Sequence, residues 1–505
     1  MNRYFKMAVG LIVLLSGWID PLGAQTVNLT FEEALRMTMQ NNHQLKQSDN
    51  KRLQMEQEMK AAKGLLMPRI TLNATYALMS DNIHLDLTPV RDAIAPLYQT
   101  LGNYGVFADV PNPDPNTNGI MPILPQNIST QAVRQKMLEG YNSVMAGEWD
   151  KMIQKKQFGV ISAGMMMPIY VGGKINAANR AAKIQFEEAG LERSQKADEL
   201  TSELVERYFG LMLAKQAEHV RKEVKRTMEQ HYNDALKMQR EGMIAEVEVL
   251  NAKVHFSEAE RELRKAERQI SILNEALLNT VANDDSTNIE PVSNLFYIET
   301  IEPIDYFFRL AMQKSPLLAQ VNKKKELAHQ GYKAELAGYL PTIAATGTYD
   351  IANKDLSPYM PDYMVGVGLS WTVFDGIARD RKIKAARYQE SQADDFYHKA
   401  SADIRTAITK YYQEMSMYAE QLKMLNDAAD FTNEYYRARN KAFAEGMATA
   451  TQVADANLAV AKVKIDRLQA MYGYDVALSK LLHYAGIAEQ FTLYQQRSDA
   501  VTGSY

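Results

Sequence analysis

The chain has 505 residues, too many for one compact core, so several domains or an elongated form are expected. Its 57 basic and 61 acidic residues leave a formal net charge of −4 with no basic block, which argues against nucleic acid as a partner. Cysteine is absent, which excludes disulfides, thiol catalysis, cysteine-ligated metal and a lipid-modified cysteine at the N-terminus.

Residues 1–24 read as a signal peptide. Arg3 and Lys6 form a basic start, and residues 7–18 form an apolar stretch too short to span a bilayer. Leu22-Gly23-Ala24 supplies a small-residue cleavage site, so Gln25 is the expected mature N-terminus. An uncleaved anchor helix is the other reading of the same stretch. No later segment offers the roughly 18 consecutive apolar residues of a transmembrane helix.

The rest of the chain repeats itself. Residues 39–76 match 312–349 at a constant offset of 273, pairing Met39-Gln40 with Met312-Gln313, Pro68 with Pro341 and Thr75-Tyr76 with Thr348-Tyr349. Residues 170–252 match 374–456 at a constant offset of 204, pairing Gly172 with Gly376, Tyr208 with Tyr412 and Tyr232 with Tyr436. The offsets differ by 69, so the first copy carries an insertion of that length between Tyr76 and Tyr170. A first repeat over 25–290, a second over 291–488 and a C-terminal tail over 489–505 follow.

Within each copy the hydrophobic period changes in a fixed order. Thr30-Phe31-Glu32-Glu33 reads as a capping box opening a helix that runs to Leu66, where Pro68 stops it. The period then becomes two. Ile70, Leu72, Ala74, Tyr76 and Leu78 fall on one face, and Thr71, Asn73 and Thr75 on the other. The second copy keeps that phase with Ile343, Ala345, Gly347, Tyr349 and Ile351 against Thr346, Thr348 and Asp350. A second strand follows in each, marked by Ile161, Ala163, Met165, Met167 and Ile169 in one and by Val365, Val367, Leu369, Trp371 and Val373 in the other. Strands are expected at about 69–79 and 157–170, and at about 342–352 and 363–374. Strands of this length with one apolar and one small or polar face suit a membrane barrel with a wet lumen; hairpins on a soluble core have a similar pattern.

Two long helices are expected after each second strand. Phe256, Ala259, Leu263, Ala266, Ile270, Leu273 and Leu277 follow the 3-4 spacing of a coiled-coil seam. The counterpart reads Val460, Val463, Arg467, Ala470, Tyr474, Ala477 and Leu481, with Arg467 interrupting the apolar run. The preceding arm, 174–238, would extend about 100 Å at 1.5 Å per residue and needs lateral partners. Gly242 and Gly446 break the period at matching places, so each arm turns back there as a helix hairpin. The fold class is therefore mainly α with a membrane β-barrel portion: a tandem repeat of long coiled-coil helices with two β-hairpins per chain. Four strands cannot close a barrel and open edges are not tolerated in hydrocarbon, so several protomers must share one.

The chain resembles the TolC family of outer-membrane efflux and secretion channels over nearly all its length after the signal peptide. The resemblance rests on Leu29-Thr30-Phe31-Glu32-Glu33-Ala34-Leu35, on the strand-to-helix turns Tyr170-Val171-Gly172-Gly173 and Val373-Phe374-Asp375-Gly376, and on the segments after Gly242 and Gly446. It implies a homotrimer with a shared twelve-stranded barrel among outer-membrane lipid, continued by an α-helical tunnel across the periplasm. The implied partners are a periplasmic adaptor protein and an inner-membrane pump, with segments near 281–310 and 484–505 belting the tunnel.

The resemblance also directs attention to the hairpin tips, where family members gate. Glu248 and Asp455 match acidic positions of the family, whereas Gln452 and Asn251 do not, and Ala448 stands where some members carry a basic residue. Glu248, Gln452 and Asp455 are thus the candidate periplasmic gate, with helix-start acids favoured by the dipole as the plainer reading of Glu246, Glu248 and Asp455. Glu241-Gly242-Met243 and Glu445-Gly446-Met447 are the candidate adaptor-docking tips.

The remaining features carry little. The eight histidines lack ligand spacing, no nucleophile or phosphate-loop motif occurs, and neither cofactor nor enzymatic activity is expected. Met165-Met166-Met167 reads as apolar filler more simply than as a copper path. The insertion, about 80–156, holds the turn-rich Pro111-Asn112-Pro113-Asp114-Pro115-Asn116 and a helix-like stretch at 131–152, and is expected on the cell surface. A passive export duct for small toxic molecules or secreted polypeptides is the favoured function. A pore-less periplasmic coiled-coil protein with a structural or adhesive role is the alternative.

Overall fold

A computed structural model describes residues 26–282 and 288–503; the expected signal peptide and Gln25 lie outside the described residues. In chain order the elements are β1 (Thr26–Leu29), α1 (Phe31–Asn41), α2 (His43–Lys63), β2 (Arg69–Leu78), β3 (Ile83–Asp86), α3 (Thr88–Tyr104), α4 (Gln126–Ala146), β4 (Asp150–Gln154), β5 (Gln157–Val171), α5 (Lys174–Arg240) and α6 (Glu246–Val281). There follow β6 (Asn288–Pro291), β7 (Leu295–Ile298), α7 (Ile304–Lys314), α8 (Pro316–Leu336), β8 (Thr342–Lys354), β9 (Tyr363–Ser370), α9 (Ala378–Ala444), α10 (Ala450–Ala485), α11 (Phe491–Gln495) and β10 (Ala500–Gly503).

The duplication is kept residue for residue in the helices. α5 and α9 each have 67 residues and α6 and α10 each have 36. α1 and α7 match at 11, and α2 and α8 at 21. The compact units, however, cut across the repeats. Among the described residues, one gathers the helical parts of both copies (26–63, 174–282, 288–336 and 375–503), the other the strand-bearing parts (64–173 and 337–374).

In the helical unit, α5 and α6 pack along each other, as do α9 and α10, and α5 also packs on α10. Along the expected seam of α6, Ala259, Leu263, Ala266 and Leu277 are buried; along that of α10, Ala470, Tyr474, Ala477 and Leu481 are. The main core lies where β1, β6, β7, β10, α7 and α11 surround the middle of α5 and α9 and the C-terminal parts of α6 and α10, around Phe31, Tyr208, Phe209, Phe296 and Phe491. Buried hydroxyls there are paired: Tyr208 donates to the Leu29 carbonyl at 2.6 Å, and Tyr474 to that of Ile298 at 3.2 Å. Residues 489–505, expected as a tail, supply the buried Phe491 and Tyr494 and the strand that pairs with β7.

One expected helix is broken. Thr30 does form its capping box with Glu33, yet the helix stops at Asn41 instead of running to Leu66. Asn42 turns out of it: its amide donates to the Thr280 carbonyl at 3.0 Å while its side-chain oxygen accepts from the Gln44 N–H at 2.9 Å. In the second copy Ser315-Pro316 makes the same break, since proline disfavours helix in the residue before it.

In the strand unit, β2, β5, β8 and β9 form one antiparallel sheet in that order. The expected strand to residue 374 ends at Ser370. The insertion holds more structure than expected. Ribbon β3–β4 continues the β2–β5 hairpin, and α3 pairs with α4, the helix expected at 131–152 and found at Gln126–Ala146.

Candidate functional site

The register of the sheet sorts its side chains by chemistry. Leu72 lies opposite Ala163 and Ala163 opposite Tyr349, which lies opposite Tyr363; one row away, Ile70, Met165, Gly347 and Val365 align likewise. The other face aligns Thr71, Gly164, Thr348 and Met364, and beside them Asn73, Ser162 and Asp350. Both faces are open within this chain: Leu72 is 72% exposed on one and Met364 64% on the other. A sheet with an uncovered apolar face and an uncovered polar face is placed between two different surroundings. β2 and β9 pair on one side only, so each end of the sheet offers unpaired backbone groups.

The two helix hairpins turn in the same way. After α5, the Gly242 N–H donates to the Gln239 carbonyl and the Met243 N–H to that of Met238, at 2.9 and 2.8 Å. After α9, Gly446 and Met447 repeat this to Phe443 and Ala442 at the same distances. These paired bonds are a Schellman C-cap, and both glycines adopt its left-handed backbone, with φ +72 and +73. Glu241, Gly242, Met243, Glu445, Gly446 and Met447 are all exposed.

The helices that leave the tips start differently. α10 begins at Thr449, whose hydroxyl accepts from the Gln452 N–H at 3.3 Å while the Gln452 side chain accepts from the Thr449 N–H at 3.2 Å. Gln452, a candidate gate residue, thus completes a capping box. α6 begins at Ala245 with no side-chain cap, and Oε2 of the half-buried Glu248 is enclosed without a hydrogen-bond partner among the described residues. Asp455 is exposed and one turn beyond Gln452, too far into α10 to count as a helix-start acid; Glu246 and Glu248 do lie in the first turn of α6.

Sequence reasoning missed the group that joins the hairpins. His231 on α5 is buried, its Nε2 donates to the Ala450 carbonyl at 3.0 Å, and its ring sits edge-on to Phe443 at 4.7 Å. Burial lowers its basicity, so the neutral ring is favoured. A lone histidine without ligand spacing gave no signal for this. Among the described residues no group of three His, Asp or Glu side chains is placed to hold a metal ion, and no helix is long and apolar enough to cross a membrane.

A family model for outer membrane efflux proteins matches residues 153–283 and 308–486, more than half of the chain. The chain belongs to the outer membrane efflux protein family. Within it, the alkaline protease secretion protein AprF of Pseudomonas aeruginosa is 22% identical over 322 residues. That match covers 62% of this chain and 66% of AprF, just under two thirds of its length. The fold is similar to the Campylobacter jejuni outer membrane channel CmeC, with TM-score 0.68 and 13% identity over 92% of this chain and 89% of that one. The Vibrio cholerae outer membrane protein VceC gives TM-score 0.65 and 12% identity over 90% and 96%.

Proposed function

We propose that the chain is one protomer of a passive outer-membrane exit duct. Its four strands are a share of a barrel closed by a homotrimer, with the apolar face toward lipid and the Thr71, Asn73, Thr75, Thr346 and Thr348 face toward a wet lumen. The observation that carries this reading is the register: one mainly apolar face and one mainly small or polar face on a sheet whose ends are both unpaired. A pore-less coiled-coil protein would leave that apolar face in water.

The hairpins are the helical tunnel's share, and their tips dock a periplasmic adaptor that links the duct to an inner-membrane pump. Glu248, Gln452 and Asp455 lie beside the closed end. Support comes from the exposed Met243 and Met447, each held out by an identical glycine turn. Cargo is either small toxic molecules or secreted polypeptides, the latter being the class named for AprF.

The test is ion conductance of purified protein in planar bilayers, with heat-modifiable oligomers on gels. Asp455→Arg should change single-channel conductance without changing assembly. Gly446→Trp should abolish export and adaptor crosslinking while the oligomer still forms. A protein that inserts and assembles yet never conducts would sink the duct reading, and normal export by Gly446→Trp would sink the docking tip.

A further inference from the structure

The insertion carries an apolar seam that the chain covers only in part: Ile94 and Leu101 are half-buried, and the rest is exposed. Leu87, Val90, Ile94, Leu97, Leu101 and Tyr104 follow each other along α3 at 3-4 spacing, the pattern of a coiled-coil a/d seam. α4 does not use it. α4 packs on the neighbouring side, where Gly102 lies against Leu138 and Gly140 against Tyr98, closely enough that an added Cβ would meet either side chain at 2.8 Å. Leu97 therefore remains 59% exposed and Tyr104 76%. From Ala93 to Tyr104 there is no ionised side chain, and at the start of the helix Arg91 is paired with Asp92 at 2.8 Å. Surface helices in water carry charge on the open side; this one does not.

We propose that α3 packs against α3 of neighbouring copies of this chain, joining the insertions into a collar. This rests on the reading that several copies share one barrel. A second copy is the occupant that fits. α3 follows β2 and the short β3, and β2 ends the sheet on a side where a neighbour must pair. Short links fix its start on the strands: the Met79 N–H donates to the Lys156 carbonyl at 2.7 Å, extending the β2–β5 pairing, and the Leu87 N–H to that of Trp149 at 2.6 Å, extending the β3–β4 ribbon. Copies arranged about one axis present the same helix in parallel, the arrangement in which a seam of Leu, Val and Ile closes on itself. An uncharged seam also has no like charges to oppose copies of itself.

The native chain has no cysteine, so a single introduced thiol reports on this contact alone. Leu97→Cys and, on the opposite side of α3, Gln99→Cys would be treated in intact outer membranes with a short bis-maleimide. Leu97→Cys should move most of the chain from the monomer band to a covalent dimer band on denaturing gels, and Gln99→Cys should not. Tyr104→Cys is the second probe on the same seam if Leu97→Cys does not assemble. Native oligomers of the Leu97→Cys variant whose introduced thiol stays uncrosslinked would overturn the proposal. So would labelling of that thiol by a lipid-soluble maleimide without an interchain product, which would assign the face to lipid. Wild-type chain that runs as a monomer in mild detergent would instead remove the shared-barrel reading, and the collar with it.

Discussion

His231 donates its Nε2 proton to the carbonyl of Ala450, tying the end of the first hairpin's ascending helix to the start of the second hairpin's returning one. The ring has Phe443 beside it, and Asp234, Glu248 and His255 are the ionisable groups that face it. Burial outweighs the two carboxylates and holds the imidazole below its usual range.

The sign of the pH effect follows. A histidine whose folded pKa is depressed contributes stability that is intact above the unfolded value near 6.5 and is lost as pH falls through the folded value. The His231 contribution by itself lowers the melting temperature of the helical unit progressively from pH 7.5 to 5. His231→Gln, which keeps a donor but no titrating ring, should flatten that slope. An unchanged slope would show that other groups set the acid response.

Asp198 gives the opposite dependence. Burial, reinforced by Glu489 and Glu199, pushes its carboxyl up to about 7. A raised carboxyl contributes stability that is complete below its ordinary 3.8 and is lost as pH rises through about 7. Asp198→Asn should therefore raise the melting temperature at pH 8 and change it little at pH 5. Equal effects at both pH values would argue against a half-buried, protonated Asp198.

The helix starts at the tips provide a matched pair. Ala245 has φ −77 and ψ 157, and Thr449 has φ −85 and ψ 159, so the backbones are alike and only the cap differs. Ala245→Ser would complete a capping box with Glu248, whose enclosed oxygen lacks a partner. We expect it to stabilise α6 by about 1 kcal/mol, and Thr449→Ala to destabilise α10 by a similar amount. Hydrogen-exchange protection over residues 246–252 and 450–456 reads both.

Glycine turns should differ in tolerance. At Gly446 an added Cβ meets no atom within 4 Å, so Gly446→Ala should cost only the backbone preference, about 1 kcal/mol. At Gly172 the Cβ would lie 2.6 Å from the Ala337 carbonyl oxygen, with φ +63 besides. Gly172→Ala should lower the yield of folded protein severalfold more than Gly446→Ala, as measured by heat-modifiable product in membranes.

Much of this architecture was legible because duplication writes each feature twice. The constant offsets fixed the hairpin turns, and the alternation after Pro68 and Pro341 placed the strands to within a few residues. What stayed hidden depended on distant partners. The break at Asn42 is held by the Thr280 carbonyl, 238 positions away. His231 matters only because folding brings Ala450 to it. In the insertion, Pro89 in the first turn of α3 is a helix-start signal that no second copy repeats.

The equal lengths of α5 and α9, and of α6 and α10, constrain how such a chain can change. Removing one residue turns everything beyond it by about 100° and draws it back by about 1.5 Å. One deletion in α9 would thus swing Phe443 off His231 and leave the two turns at unequal heights. Insertions and deletions are then tolerable only as concerted sets, equal in all four helices and near seven residues each, about two turns. Depth in this protein is inherited in whole increments, and the two halves have to be resized together.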